Sequence, residues 1–150
     1  MKVRIIRDDC GAPYLVRITF FEFFRRKDEP EEKSGGYSLK LHIILKSDED
    51  RAFHDHPWTF ATLMLCGGYF EHTPNLNEVG EWINQGATIK RWIKPWTWRL
   101  CRSPYPHRLE LSGGNPAVTL VFMCPRIREW GFYTKHGWVP WFLFKTNRDC

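Results

Sequence analysis

Between Val3 and Phe144 no stretch of the chain sustains apolar residues at helical spacing. Short runs of β-branched and aromatic residues follow one another instead, each closed after a few positions by Gly, Pro, Asn or Asp. Val3 to Ile6, Tyr14 to Phe24, Tyr37 to Lys46, Phe60 to Cys66, Tyr69 to His72, Ala87 to Ile93, Trp96 to Cys101, His107 to Leu111 and Ala117 to Cys124 all read as strands. Such a series predicts an all-β domain, a sandwich or barrel of the jelly-roll kind. Ten prolines and eight tryptophans suit strands and turns better than helices. At 150 residues the chain has the length of one domain, 1–150, with a sizeable core.

Charged segments interrupt the strands. Residues 25–36, RRKDEPEEKSGG, read as a loop, as do Ser47 to Arg51 and residues 73–86. The net charge of +5 is scattered, and Arg25-Arg26-Lys27 is its only run of three. Single-stranded nucleic acid is therefore the weakest of the partner classes. The five cysteines form no C-x-x-C, which speaks against a zinc ribbon. The N-terminus is charged almost at once and no apolar run approaches bilayer length, so a reducing, cytoplasmic setting without a membrane is the expectation.

Chemistry concentrates at Phe53-His54-Asp55-His56-Pro57-Trp58. In an extended strand alternate side chains share a face, so His54 and His56 project together and Asp55 points away. Two imidazoles so placed can chelate one metal ion, given further ligands from elsewhere. The plainer alternative is a pair of strand histidines satisfied by ordinary hydrogen bonds. On the strand at Tyr37 to Lys46, Tyr37, Leu39, Leu41, Ile43 and Leu45 share one face; Ser38, Lys40, His42 and Ile44 share the other. His42 thus reads as a structural or surface residue opposite the apolar set. Glu71 or His72 is expected to face a cavity, Glu71 as a general acid or base, with an exposed edge carboxylate as the alternative. Tyr69, Trp98 and Trp130 are candidates for an aromatic pocket wall, with core packing as the alternative.

The histidine stretch resembles the first motif of the cupins, small double-stranded β-helix barrels: G, five residues, H-x-H, three or four residues, E, six residues, G. His54-x-His56, four residues, Ala61, six residues, Gly68 fits that spacing, with Ala61 where the glutamate belongs; the shorter gap puts Phe60 there and Gly67 at the glycine. His107, behind the Pro-rich turn Ser103-Pro104-Tyr105-Pro106, is similar to the histidine of the second motif, although Pro104 replaces a glycine and Leu111 an asparagine. The phrases SDEDRAFHDHPWTF, GGYFEH and REWGFYTKHGWVPW resemble those of small bacterial and phage cupin-like proteins without an assigned reaction. This resemblance implies a cupin barrel with His54, His56 and His107 around a divalent transition metal: Fe, Zn, Ni or Cu. Cupin thiol dioxygenases use such a three-histidine iron, with a tyrosine and a substrate-holding arginine nearby. Tyr133 and Arg99 are the candidates for those two roles here, neither in a matching local motif, and a surface strand residue is the alternative for Arg99.

Two functions stay open. One is a metal-dependent dioxygenase-like enzyme acting on a small anionic molecule. The other is a non-catalytic module that binds a small molecule or sugar. The apolar stretch Tyr14 to Phe24 further suggests a homodimer.

Overall fold

A computed structural model describes residues 1–8, 10–23, 36–48, 52–75, 88–134 and 136–144. Phe24, residues 25–35 of the loop expected at 25–36, residues 49–51, most of the 73–86 loop, Ala87 and Cys150 lie outside the described residues. Within them the chain forms strands β1 (Lys2–Arg7), β2 (Pro13–Phe23), β3 (Tyr37–Ile44), β4 (Phe53–His54), β5 (Phe60–Cys66), β6 (Tyr69–Pro74), β7 (Thr88–Ile93), β8 (Trp98–Cys101), β9 (Arg108–Leu111), β10 (Ala117–Met123), β11 (Gly131–Thr134) and β12 (Gly137–Pro140). The one helical element among them is a 3-10 turn at Ser112–Gly114, so the all-β expectation holds. No described helix is long and apolar enough to cross a membrane. Cys66, Cys101 and Cys124 are free thiols and Cys10 is disulfide-bonded.

The strands make two antiparallel layers. The first has the order β1-β2-β3-β10-β5-β8. The second is built from β12-β11-β4 and β7-β6-β9. These two halves meet at one point, where His54 and His107 form an isolated antiparallel bridge. The His54 N–H donates to the His107 carbonyl at 3.0 Å, and the His107 N–H returns to the His54 carbonyl at 2.9 Å. The second layer is thereby a six-strand row, β12-β11-β4-β9-β6-β7, with its seam at the two histidines.

Seven connections carry the chain from one layer to the other, and two of them hold His56 and His107. Asp55 to Thr59 leads from β4 to β5, and Arg102 to His107 leads from β8 to β9. Another is Gly67-Gly68, between β5 and β6. Gly68 has φ +148°, and a Cβ there would lie 2.6 Å from the Trp92 ring and 2.9 Å from the Ile93 carbonyl oxygen. Only glycine permits that approach.

Leu15, Ile44, Met64 and Ala117 from the first layer pack against Tyr69, Ile93, Leu109 and Leu111 from the second. Each of the leucines, isoleucines and Met64 stabilises the fold by roughly 1.5–3 kcal/mol on full burial. Phe60, Cys101, Val121 and Met123 form a second cluster nearer the seam.

The alternation on β3 is as read, but its direction is the reverse of the apolar-inside expectation. Ser38 (3% exposed) and Ile44 (6%) point inward, and Lys40 and His42 lie on that same face. Tyr37, Leu39, Leu41 and Ile43 point outward. The inward face of the first layer is mixed: Ser38, Thr62 and Thr119 are buried on it beside Leu15, Ile44, Met64 and Ala117.

Candidate metal centre

The strand start at Phe53-His54 and the corner after it project His54 and His56 from one side of the backbone. Their rings stand perpendicular, 5.1 Å apart between centroids. His107 closes the triangle at 4.9 Å from His54 and 5.0 Å from His56. One ring nitrogen from each of the three falls within 4.8 Å of the others. Nε2 of His56 and Nε2 of His107 are 2.9 Å apart. Three imidazoles with zinc–nitrogen bonds of about 2 Å require nitrogens roughly 3.3 Å apart in a tetrahedral set, so small ring rotations suffice. Burial and the neighbouring His107, His54, His42 and Arg17 hold His56 well below the ordinary imidazole range. Burial likewise takes His54 to about 4, against the opposing pull of Asp48. Neutral rings are the form that binds a metal.

Asp55 does face away. It is fully buried, accepts the Gly131 N–H at 2.8 Å and the Trp138 indole N–H at 3.1 Å, and meets the Arg128 guanidinium. Its own N–H donates to the Gly131 carbonyl at 3.0 Å. One carboxylate thus ties the C-terminal hairpin β11–β12 to the histidine corner.

Glu71 serves the centre through another residue. It is 1% exposed, and its Oε1 accepts from Nδ1 of His107 at 2.8 Å. That bond fixes the tautomer and turns the Nε2 lone pair of His107 toward the other two rings. Arg99 donates to both carboxylate oxygens at 2.7 Å, and the Tyr105 hydroxyl donates to Oε2 at 3.0 Å. Burial alone would raise the Glu71 pKa; the bonds from His107 and Arg99 outweigh it and hold the carboxyl below its usual range.

Arg99, expected to hold substrate, is committed to Glu71 instead. Tyr69 is buried in the core cluster, its phenol raised mainly by burial. Trp98 does not wall a pocket. Two-residue periodicity on β8 sends Arg99 and Cys101 inward and Trp98 outward, where it is 65% exposed. Tyr133 is also displaced from the centre: it pairs with Phe53, on the face that carries Asp55, while its neighbour Phe132 pairs with His54. Phe132 approaches the His54 ring at 6.4 Å. Phe60 stands 5.0 Å from His56, edge to face, and 6.4 Å from His107. Of the two registers the shorter one, with Phe60, is therefore the inward one, and a phenyl ring lies beside the histidines where a carboxylate ligand was sought.

Sequence reasoning did not single out Asp48, Phe60 as a site residue, or Arg17. Asp48 lies 3.7 Å from Nδ1 of His54 and also accepts from Tyr14 and the Leu109 N–H. Strand periodicity marks which residues share a face, and no local signal marks which distant carboxylate reaches it.

The donor set fits a divalent transition metal. Three neutral imidazoles converge, one braced by a buried carboxylate, and three protein ligands leave positions for a further ligand.

No family model and no characterised protein matches the chain by sequence. Solved structures do match. A cupin-2 domain from Rhodospirillum rubrum superposes with a TM-score of 0.58 at 9% identity, over 91% of this chain and 77% of that one. The Fe(II) form of HppE, with an alternative substrate, gives 0.56 at 13% identity, over 81% of this chain and 55% of that one. The polyketide cyclase RemF from Streptomyces resistomycificus gives 0.53 at 19% identity, over 83% and 72%. The chain thus spans about half the length of HppE.

Proposed function

From a chain with the cupin fold and three histidines gathered at the seam of its second layer, we propose a metal-dependent, dioxygenase-like enzyme acting on a small anionic molecule. The convergence of His54, His56 and His107 carries this reading. Fe, Zn, Ni and Cu all suit three imidazoles, and the Fe(II) of HppE makes iron the first to test. Such an ion would supply Lewis-acid polarisation and, if iron or copper, redox chemistry with dioxygen. The chain's own residues do the rest. Glu71 orients His107, Phe60 and Phe132 flank the centre on two sides, and among the described residues no carboxylate joins the three histidines to offset the cation, which leaves the centre attractive to an anion.

One observation favours the second reading, a non-catalytic binding module. Glu71 already accepts hydrogen bonds from His107, Arg99 and Tyr105, and so is poorly placed to shuttle a proton. Its expected role as a general acid or base gives way to positioning.

Elemental analysis of the protein as isolated is expected to find one transition-metal ion per chain. His56→Ala is expected to lose it; metal retained in that variant sinks the triad. Oxygen consumption across a panel of small thiols and acids then separates enzyme from binding module.

A further inference from the structure

Four carboxylates among the described residues have side chains more than nine-tenths buried, and three of them meet an ammonium or a guanidinium: Asp8 with Lys46, Asp55 with Arg128 and Glu71 with Arg99. Asp48 is the fourth. Its side chain is 8% exposed, and no lysine or arginine among the described residues pairs with it. Its firm partners are neutral donors: the Tyr14 hydroxyl donates to Oδ1, and the Leu109 N–H donates to Oδ2 at 2.7 Å. Burying a carboxylate in that way costs free energy unless a cation answers it. The base beside it is His54, whose Nδ1 lies 3.7 Å from Oδ2. A neutral imidazole leaves the charge of Asp48 unanswered.

Ordinary strand pairing puts the two side by side. After β3 the chain turns along the open side of β9. The Asp48 N–H donates to the Leu109 carbonyl at 2.8 Å, and the Leu111 N–H donates to the Ser47 hydroxyl at 2.8 Å. His54 meets the same edge two residues earlier, through its bridge to His107. Asp55, next to His54 in sequence, is spent on Gly131, Trp138 and Arg128. Asp48 is therefore the carboxylate left to His54, as Glu71 is to His107. The two differ in charge, because Arg99 neutralises Glu71 and no described side chain does the same for Asp48.

We propose that Asp48 is a positioning residue of the metal centre: it holds the proton of His54 on Nδ1, leaves the Nε2 lone pair for the ion, and answers part of the ion's charge from outside the three ligands. The proposal rests on the metal-site reading and adds a residue and a source of charge to it. A gap of 3.7 Å is longer than a hydrogen bond, so the coupling is electrostatic and depends on the charge of Asp48 more than on its shape.

The test uses the full chain with zinc as the probe, its affinity measured by competition with a chelator. Asp48→Asn keeps the shape and removes the charge; it should weaken zinc on the order of tenfold or more. Tyr14→Phe removes the hydroxyl that Asp48 accepts from and keeps the charge; it should bind zinc as the parent does. Nitrogen-15 spectra of the chelator-stripped parent should place the His54 proton on Nδ1, and Asp48→Asn should lose that preference. The parent spectrum needs no variant, so it stands even if Asp48→Asn does not fold. Unchanged zinc affinity in Asp48→Asn overturns the proposal. An equal loss in both variants makes Asp48 a structural tie to Tyr14 and overturns it too, as does a parent with the His54 proton on Nε2. A parent that takes up no zinc sinks the metal centre itself, and the His54 tautomer, read without any ion, keeps that failure apart from an error about Asp48.

Discussion

Glu71→Gln separates a positioning role from an acid–base one. The amide keeps the size and one acceptor but loses the charge that braces His107 and pairs with Arg99. A metal affinity lower by about 10–100-fold is the expected result, the usual cost of removing such an outer partner, and competition with a chelator measures it. If affinity holds while turnover collapses, Glu71 acts on substrate instead. His42 supplies a second residue-scale prediction. Its folded value of about 3 lies far below the roughly 6.5 of an unfolded chain. Between those values the unfolded chain takes up a proton that the folded chain refuses, so stability falls as the pH drops through that window. His42→Gln should therefore flatten the acid side of the melting-temperature profile in metal-free protein between pH 7 and 4. His54 and His56, depressed by the same burial, will retain part of the slope.

At the scale of elements, the corners matter more than the strands they join. Gly68→Ala places a methyl against the Trp92 ring and the Ile93 carbonyl, at a φ that L-residues rarely adopt. A loss of about 1–3 kcal/mol is expected in denaturant unfolding; a neutral effect would mean that the corner relaxes freely. The Gly67-Gly68 turn, the strands as far as β10 and the shared face of His54 and His56 were legible, because turn chemistry and two-residue alternation are local; β11 and β12 lie in an aromatic stretch that was not read as strands. His107 was reached through resemblance, and the structure brings it to the other two. What alternation leaves open is which face of a strand points inward. On β3 the apolar face points outward, so His42 was read as a structural or surface residue and Arg17 beside it was not singled out. Trp98 was misplaced for a related reason: an aromatic side chain was taken as a wall, while its neighbour Arg99 held the inward position. Asp48 and Glu71 reach their histidines only through tertiary pairing, which no spacing encodes.

For the whole molecule, the outward face of the first layer is the unusual surface. Every outward side chain on β3, β10, β5 and β8 is apolar, among them Leu39, Leu41, Leu63, Leu100, Leu120 and Phe122. Phe122 is 40% and Leu100 53% exposed. We propose a homodimer through this face, extending the expectation raised by the apolar N-terminal strands. Two copies can meet there about a two-fold axis without opposing like charges. Sedimentation at micromolar concentration should give a dimer, and Phe122→Glu with Leu100→Glu a folded monomer; a monomeric parent protein would refute the interface.

The paired amides of His54 and His107 hold together two strand triplets that share no other ladder among the described residues. Whatever sits among the three imidazoles therefore also latches that join. Hydrogen exchange at these two amides should slow when the ion enters and quicken when a chelator removes it, making the backbone itself a gauge of occupancy.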